Sequence, residues 1–305
     1  MAGRRDSMFS RKQPGGVFTI VNIDDHAGDV WFVDSGHDAA SDTAGFGQSP
    51  DSPCATIDYA VGLCTAGQGD VIYAMPGHAE VVIAAGGLDL DVAGITIKGL
   101  GEGTYQPTVT FTTDEAADMD VDAASITVEN IHFVAGVADL TAAIDVNACH
   151  FTLRRCRFTG DNGGLNALIW IQDAAAAGSD RITVEDCYCM DVDTSNTHFI
   201  NFAGTGYGHV VKGNTLIGDF GTMCIGGAGV VTYATIIDNV IYNAASTNDS
   251  CINFDATATG ICMRNLCGGA AAQANGITAT AMAEAENYYG VISEDLSAIL
   301  DPIAT

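Results

Sequence analysis

One eight-residue pattern recurs along this chain, and a pattern that returns at intervals of 22 to 31 residues points to stacked coils. The clearest copies are Ile126–Phe133, Phe151–Phe158 and Ile182–Cys189. Weaker ones follow at His209–Leu216, Ala234–Ile241, Gly260–Cys267 and Met282–Tyr289, and an earlier one lies at Ile95–Lys98. Within each copy apolar and polar residues alternate, as Ile126 and Val128 do against Thr127 and Glu129, which is the period of a half-buried strand. A second strand-like set interleaves with the first, carrying Ile144, Ile169, Ile200, Ile225, Ile252 and Ile277. Nothing between the copies has an apolar 3.6-residue stripe long enough for a helix. Two or three short strands per coil without helices predict an all-β parallel β-helix of about nine coils, a rod roughly 40–45 Å long at the ~4.8 Å strand spacing.

The sixth position of successive copies reads Ile131, Cys156, Cys187, Asn214, Asn239, Asn265 and Asn287. Stacked inside a bend, the asparagines can hydrogen-bond along the column and satisfy buried backbone groups, while Cys156 and Cys187 serve as small buried residues. The fourth position alternates in sign, as Lys98, Glu129, Arg154, Glu185 and Lys212, and predicts a ladder of ion pairs on an outward face. In the fifth, Arg155 falls between Asn130 and Asp186, and Arg264 between Asp238 and Glu286. Register thus gives structural partners to five of the seven bases beyond residue 12; Arg157 and Arg181 remain spare.

The formal charge of −27 is uneven. Arg4, Arg5, Arg11 and Lys12 against Asp6 make residues 1–12 net positive, so the body is more acidic still. A body this acidic repels nucleic acid and anionic membrane surfaces, and neither is expected as a partner. Residues 1–16 read as a flexible basic arm, 17–70 as N-terminal strands and a cap with a short helix at Ala55–Leu63, 71–290 as the β-helix, and 291–305 as a closing cap and tail. Residues 1–12 lack the apolar core of a signal peptide and no run of 18 apolar residues occurs, so synthesis and folding in a cytoplasm are expected. Five of the 10 cysteines fall inside the repeating copies, which favours free thiols, and Cys54 and Cys64 are expected to stay unpaired.

The order Val33-Asp34, Pro53-Cys54-Ala55-Thr56-Ile57-Asp58-Tyr59-Ala60-Val61, Gly69-Asp70-Val71-Ile72-Tyr73 and Pro76-Gly77-His78 resembles the N-terminal cap and first coil of pectate-lyase-like right-handed β-helix proteins. The resemblance extends over roughly residues 30–290 and implies a fold shared by polysaccharide lyases, glycoside hydrolases and bacteriophage tailspikes and other virion proteins, so fold does not settle function. With its basic arm and no signal peptide, the chain also resembles the β-helix proteins of tailed-phage structural genes. That resemblance implies a homotrimer located in the virion, with phage capsid or tail proteins as partners.

Enzymes of this fold need an acid or base projecting from a coil into a groove. Asp114, Glu115, Asp118 and Asp120 cluster before one copy and Asp191 and Asp193 follow another; either set offers a carboxylate pair or a calcium site. Acidic turns are ordinary in an acidic protein, no zinc spacing occurs, and no histidine stands in a nucleophile motif, His132 being placed on an outer position. The expectation is therefore a non-enzymatic virion protein without cofactor, most simply a capsid decoration protein anchored through Arg4, Arg5, Arg11 and Lys12. The alternative is a tail spike or fibre that binds or cleaves host surface glycans. Trp170, alternating with Ile169 and Ile171, is its candidate sugar-stacking residue, since Trp31 lies in the cap. The stretch Asp173–Asp180 reads as a small surface loop or subunit contact.

Overall fold

The computed structural model describes residues 28–160, 164–173, 179–245, 249–269, 276–291 and 301–302. The chain winds as a parallel β-solenoid with three strands per coil. The first sheet runs from Val30–Val33 to Ala283–Ala285 in ten strands. The second runs from Ala79–Val82 to Tyr288–Val291, and the third from Leu88–Asp89 to Ile277–Thr278 in eight. Among the described residues this makes eight complete coils, with an extra first-sheet strand before them and three strands after. Every pairing in these three sheets is parallel except the last, where Asp301–Pro302 runs antiparallel to Tyr288–Tyr289. The arm residues Arg4, Arg5, Arg11 and Lys12 lie outside the described residues, as do 17–27 and most of 291–305.

The core is a set of stacked columns. Ile72, Ile97, Val128, Leu153, Val184, Val211, Ile236 and Cys262 lie in one inward register of the first sheet. From the second sheet, Phe111, Phe133 and Phe158 stack at ring-centroid distances of 6.2 and 5.3 Å. At the N-terminal end the helix Ile57–Val61, shorter than the Ala55–Leu63 predicted, buries Ile57, Ala60 and Val61 against the first coil. Thr56 caps it by accepting from the Tyr59 amide, and the buried Glu80 carboxylate accepts from the Ile57 amide. All ten cysteines are free, Cys54 and Cys64 included.

Between first and second sheets each coil turns a corner that requires one residue at positive φ. Asn130, Arg155, Asp186, Asp238, Arg264 and Glu286 take φ of 53–57° there, and Gly213 takes 68°. Because left-handed backbone is costly for residues with a Cβ, the corner must be held from outside. The next residue does this. Asn239 Oδ1 accepts from both the Asn214 amide and Asn214 Nδ2, at 3.1 and 3.0 Å, while Asn239 Nδ2 donates to the Val211 carbonyl. Asn214, Asn265 and Asn287 continue the column in the same geometry. Cys156 and Cys187 occupy the same column and direct their thiols, at 3.8 and 3.9 Å, to the carbonyls of Val128 and Leu153.

Asn239→Ala strips a buried amide of its acceptor and a buried carbonyl of its donor. It should cost about 3 kcal/mol at roughly 1–3 kcal/mol per unsatisfied group. Chemical denaturation read by far-ultraviolet circular dichroism measures the loss; an unchanged midpoint would show that the ladder is dispensable.

Candidate functional site

The three outward faces of the solenoid have three different chemistries, and the candidate site is chosen among them.

The first sheet carries the charged column. Lys98, Glu129, Arg154, Glu185 and Lys212 are neighbours in register, as the alternation predicts. The ion pairs, however, converge on one residue. Glu129 is only 2% exposed and receives Arg154 at 2.8 Å, Lys98 at 4.0 Å and the guanidinium of Arg155. The arginine stems cover it, so a nominally outward carboxylate is dry. Among the described residues Glu185 has no cation within 4.0 Å, so the ladder is a cluster around Glu129 rather than a continuous series. Arg155 therefore pairs with Glu129 instead of Asp186, whereas Arg264 forms the expected pair with Asp238, bidentate at 2.7 and 2.9 Å.

The third sheet carries an outward column of Asp89, Asp120, Asp145, Gln172, Asn201, Gly226, Asn253 and Thr278. Three carboxylates thus stand directly above one another at about 4.8 Å, where like charges oppose the pairing. Partial burial, reinforced by neighbouring carboxylates, raises Asp89 and Asp145 and pushes Asp120 up to about 6. Farther along, Asn201 Nδ2 donates to Gln172 Oε1 at 3.0 Å, so amides replace the repulsion. Of the predicted acidic cluster, Asp118 accepts from the Gly86 amide and Asp114 from the amide of Ala116 two residues on. Among the described residues no group of three or more His, Cys, Asp or Glu has the geometry to hold a metal ion.

Several predicted positions move. Trp170 is fully buried, with its ring edge-on to Phe158 at 5.3 Å and Nε1 donating to Asp191 Oδ2 at 3.2 Å. It cannot stack on a sugar. The strand 169–173 bends as it enters the third sheet, so Trp170 and Ile171 both face inward; Ile171, not Ile169, pairs with Ile144 and Ile200. Asp191 is buried beneath Trp170, whereas Asp193 caps the Ser195 amide, so the two do not form a carboxylate pair. His132 is half-buried, hydrogen-bonded to Thr159 at 2.7 Å and lowered to about 4 by burial and by Arg157. Asp173 and Ser179, read as ends of a surface loop, are buried and bonded to each other; burial pushes Asp173 up to about 7. Residues 174–178 lie outside the described residues.

The second sheet is the unpredicted face. Its outward columns are Ala79, Thr108, His132, Arg157, Tyr188, Thr215, Val240, Leu266, Tyr288 and, beside them, Val81, Thr110, Val134, Thr159, Met190, Ile217, Tyr242, Gly268, Gly290. Of these 18 positions only Arg157 is a Lys, Arg, Asp or Glu. Val81 is 58% exposed, Met190 43%, Val240 45%, Tyr242 44%, Leu266 39% and Tyr288 40%. Arg157, lying 5.8 Å over the Tyr188 ring, separates two shallow hollows of about 350 and 420 Å³. Asp191 and Asp193 border the first and Asp186 the second. The alternation that revealed the strands also held this face, but only the register shows that its polar-looking positions line up without acids. A largely apolar face whose 18 outward positions carry no carboxylate, on a chain of net charge −27, is suited to packing against another protein surface.

Comparison of the chain with protein-family models, with curated proteins and with solved structures found no match.

The aspartate column makes a signed prediction. A carboxyl whose folded pKa lies above its unfolded value of about 3.9 destabilises the fold above the folded pKa and not below the unfolded one. Asp120→Asn should therefore raise the melting temperature at pH 7.5. The gain should shrink through pH 6 and vanish only below about pH 3, where wild-type Asp120 is protonated in both states. Paired thermal melts across that range measure it; a gain that grows toward low pH would contradict the assignment. Buried His198 and His209, both lowered to about 4, act in the opposite direction and cancel in the comparison.

Proposed function

We propose that this chain is a bacteriophage virion structural protein, a capsid decoration protein that assembles as a homo-oligomer and attaches through its basic N-terminal arm. The observation that carries this reading is the contrast between an acidic solenoid and its one carboxylate-free apolar face. Such a surface supports a building block packed against protein, and the remaining acid supports keeping assembled particles apart in solution. The arm, with Arg4, Arg5, Arg11 and Lys12, opposes the body in charge and suits an acidic neighbour. The spike or fibre reading loses its stacking residue with the burial of Trp170. It would have to rest on other exposed aromatics such as Tyr105 and Tyr233.

The copy number of the chain in purified particles, measured by quantitative mass spectrometry against the major capsid protein, tests the proposal. Hundreds of copies are expected of a decoration protein; a few to a few dozen would move it to a spike or fibre, and absence would remove it from the virion. Deleting residues 1–16 should leave the circular dichroism spectrum and melting temperature unchanged while stripping the chain from particles. Full-length attachment should weaken steeply with added salt, as contacts between opposite surface charges do. Retention of the truncated chain at wild-type copy number would exclude the arm as the anchor.

A further inference from the structure

We propose that the outward face of the second sheet is where two copies of this chain pack side by side along their length. The inference rests on the assembly reading above and names the surface and its occupant.

Three observations select the face. First, of the 13 large hydrophobic side chains standing exposed among the described residues, six lie on the second sheet, and Ile83 and Val192 directly follow its strands. Second, two chains of net charge −27 repel wherever their carboxylates meet. The first sheet presents the charged column of Lys98, Arg154, Glu185 and Lys212, exposed Asp186, Asp238 and Glu286 line the corner it shares with the second sheet, and the third presents the aspartate column. The second sheet has no acid at the outward positions of its nine parallel strands, and the acids those strands do contain, Glu80 and Asp191, are buried. Third, the face runs through nine parallel strands without interruption.

The third point identifies the occupant. Side chains on this face repeat at about 4.8 Å over roughly 38 Å, with about 3.3 Å between residues along each strand. A partner that fills the furrows over that whole length needs the same repeat, the same straightness and no acidic column of its own. The same face of a second copy has all three. Four residues across by nine strands project to roughly 500 Å² at those spacings, and the standing side chains with Ile83 and Val192 raise the accessible area toward the roughly 800 Å² per partner of a stable interface. The single charge also has a destination. Arg157 of one copy faces a surface on which the accessible carboxylates Asp186 and Asp193 border the two hollows beside the other copy's Arg157, Asp191 being buried.

Size-exclusion chromatography with multi-angle light scattering on the isolated full-length chain tests this. Wild type should run at a multiple of 31.5 kDa across the micromolar range. Tyr242→Asp combined with Leu266→Asp places two carboxylates on the face and should return the mass to 31.5 kDa. Ile261→Asp, on an equally exposed apolar residue of the first sheet, should leave the multiple intact. An unchanged melting temperature shows that the double variant is folded. Should it unfold instead, concentration-dependent hydrogen-exchange protection of the wild-type strands Met190, Tyr242 and Leu266 belong to decides the matter. A monomeric wild type, a double variant that keeps its mass, or protection confined to the first or third sheet would each overturn the proposal. None of these results depends on particle copy number, so failure here and failure of the virion reading are separate outcomes.

Discussion

Everything in this solenoid depends on satisfying the backbone at the corner between first and second sheets. A coil that turns there buries amide and carbonyl groups that neither sheet can pair, and it demands a left-handed residue that usually has a Cβ. The asparagine ladder meets both demands at once, because each side chain accepts from the backbone of the coil before it and donates to a carbonyl there. The bond is between coils, so it fixes their register as well as closing the turn. Where Cys156 and Cys187 replace asparagine, a thiol reaches the same kind of carbonyl over a longer distance, and Ile131 begins the column with no polar group at all. The early corners are secured differently. Asn130, in the left-handed position itself, donates to the carbonyls of Gly99 and Gly101, and Arg155 at the next corner is pinned by Glu129.

Once register is fixed, a residue's chemistry is multiplied by stacking. A single aspartate on a strand is unremarkable, but in the column of Asp89, Asp120 and Asp145 burial, reinforced by carboxylates in and beside the column, raises the proton affinity of all three. A single glutamate among three stacked or adjacent cations becomes the buried centre of a cluster that joins three coils, from Lys98 through Glu129 to Arg154 and Arg155. A threonine, a valine and a tyrosine scattered through the sequence become a continuous apolar strip. Each face is therefore a one-dimensional amplification of a choice made once per coil.

This amplification explains what could be read from the sequence. The strands, the parallel stacking, the Asn and Cys column and the Arg264–Asp238 pair all follow from counting positions within the repeat, because a strand's period is rigid. Trp170 was misplaced because the count was carried across a bend. Ala143, Trp170, Phe199, Cys224 and Cys251 each precede the inward residue of the third sheet and also point inward, so two neighbours share one side. The signal was present as an apolar residue before each column isoleucine, with Ile171 in place of Ile169 in the one coil where alternation suggested otherwise. Glu129 illustrates a different limit. Its register was legible, but its burial depends on where two arginine side chains lie, and alternation says nothing of rotamers. The apolar face was missed for a third reason: its columns mix Thr, His, Val, Tyr and Gly, and their shared property is only the absence of carboxylate.

The placement of that absence is the remaining step. A parallel solenoid exposes unpaired strand edges at both ends, and adding another coil there would extend it without limit. Here the helix Ile57–Val61 packs against the first coil, and the antiparallel strand Asp301–Pro302 breaks the parallel order at the other end of the second sheet. An antiparallel strand cannot be followed by the next coil of a parallel stack, so growth along the axis is closed where the second sheet ends. Lateral contact is what remains, and it is filtered by charge: the acidic column repels on the third sheet and the corner carboxylates along the edge between the first and second. With both filters acting on a body of such high negative charge, omitting acid from the eighteen outward positions of the second sheet leaves one direction in which another solenoid can approach closely.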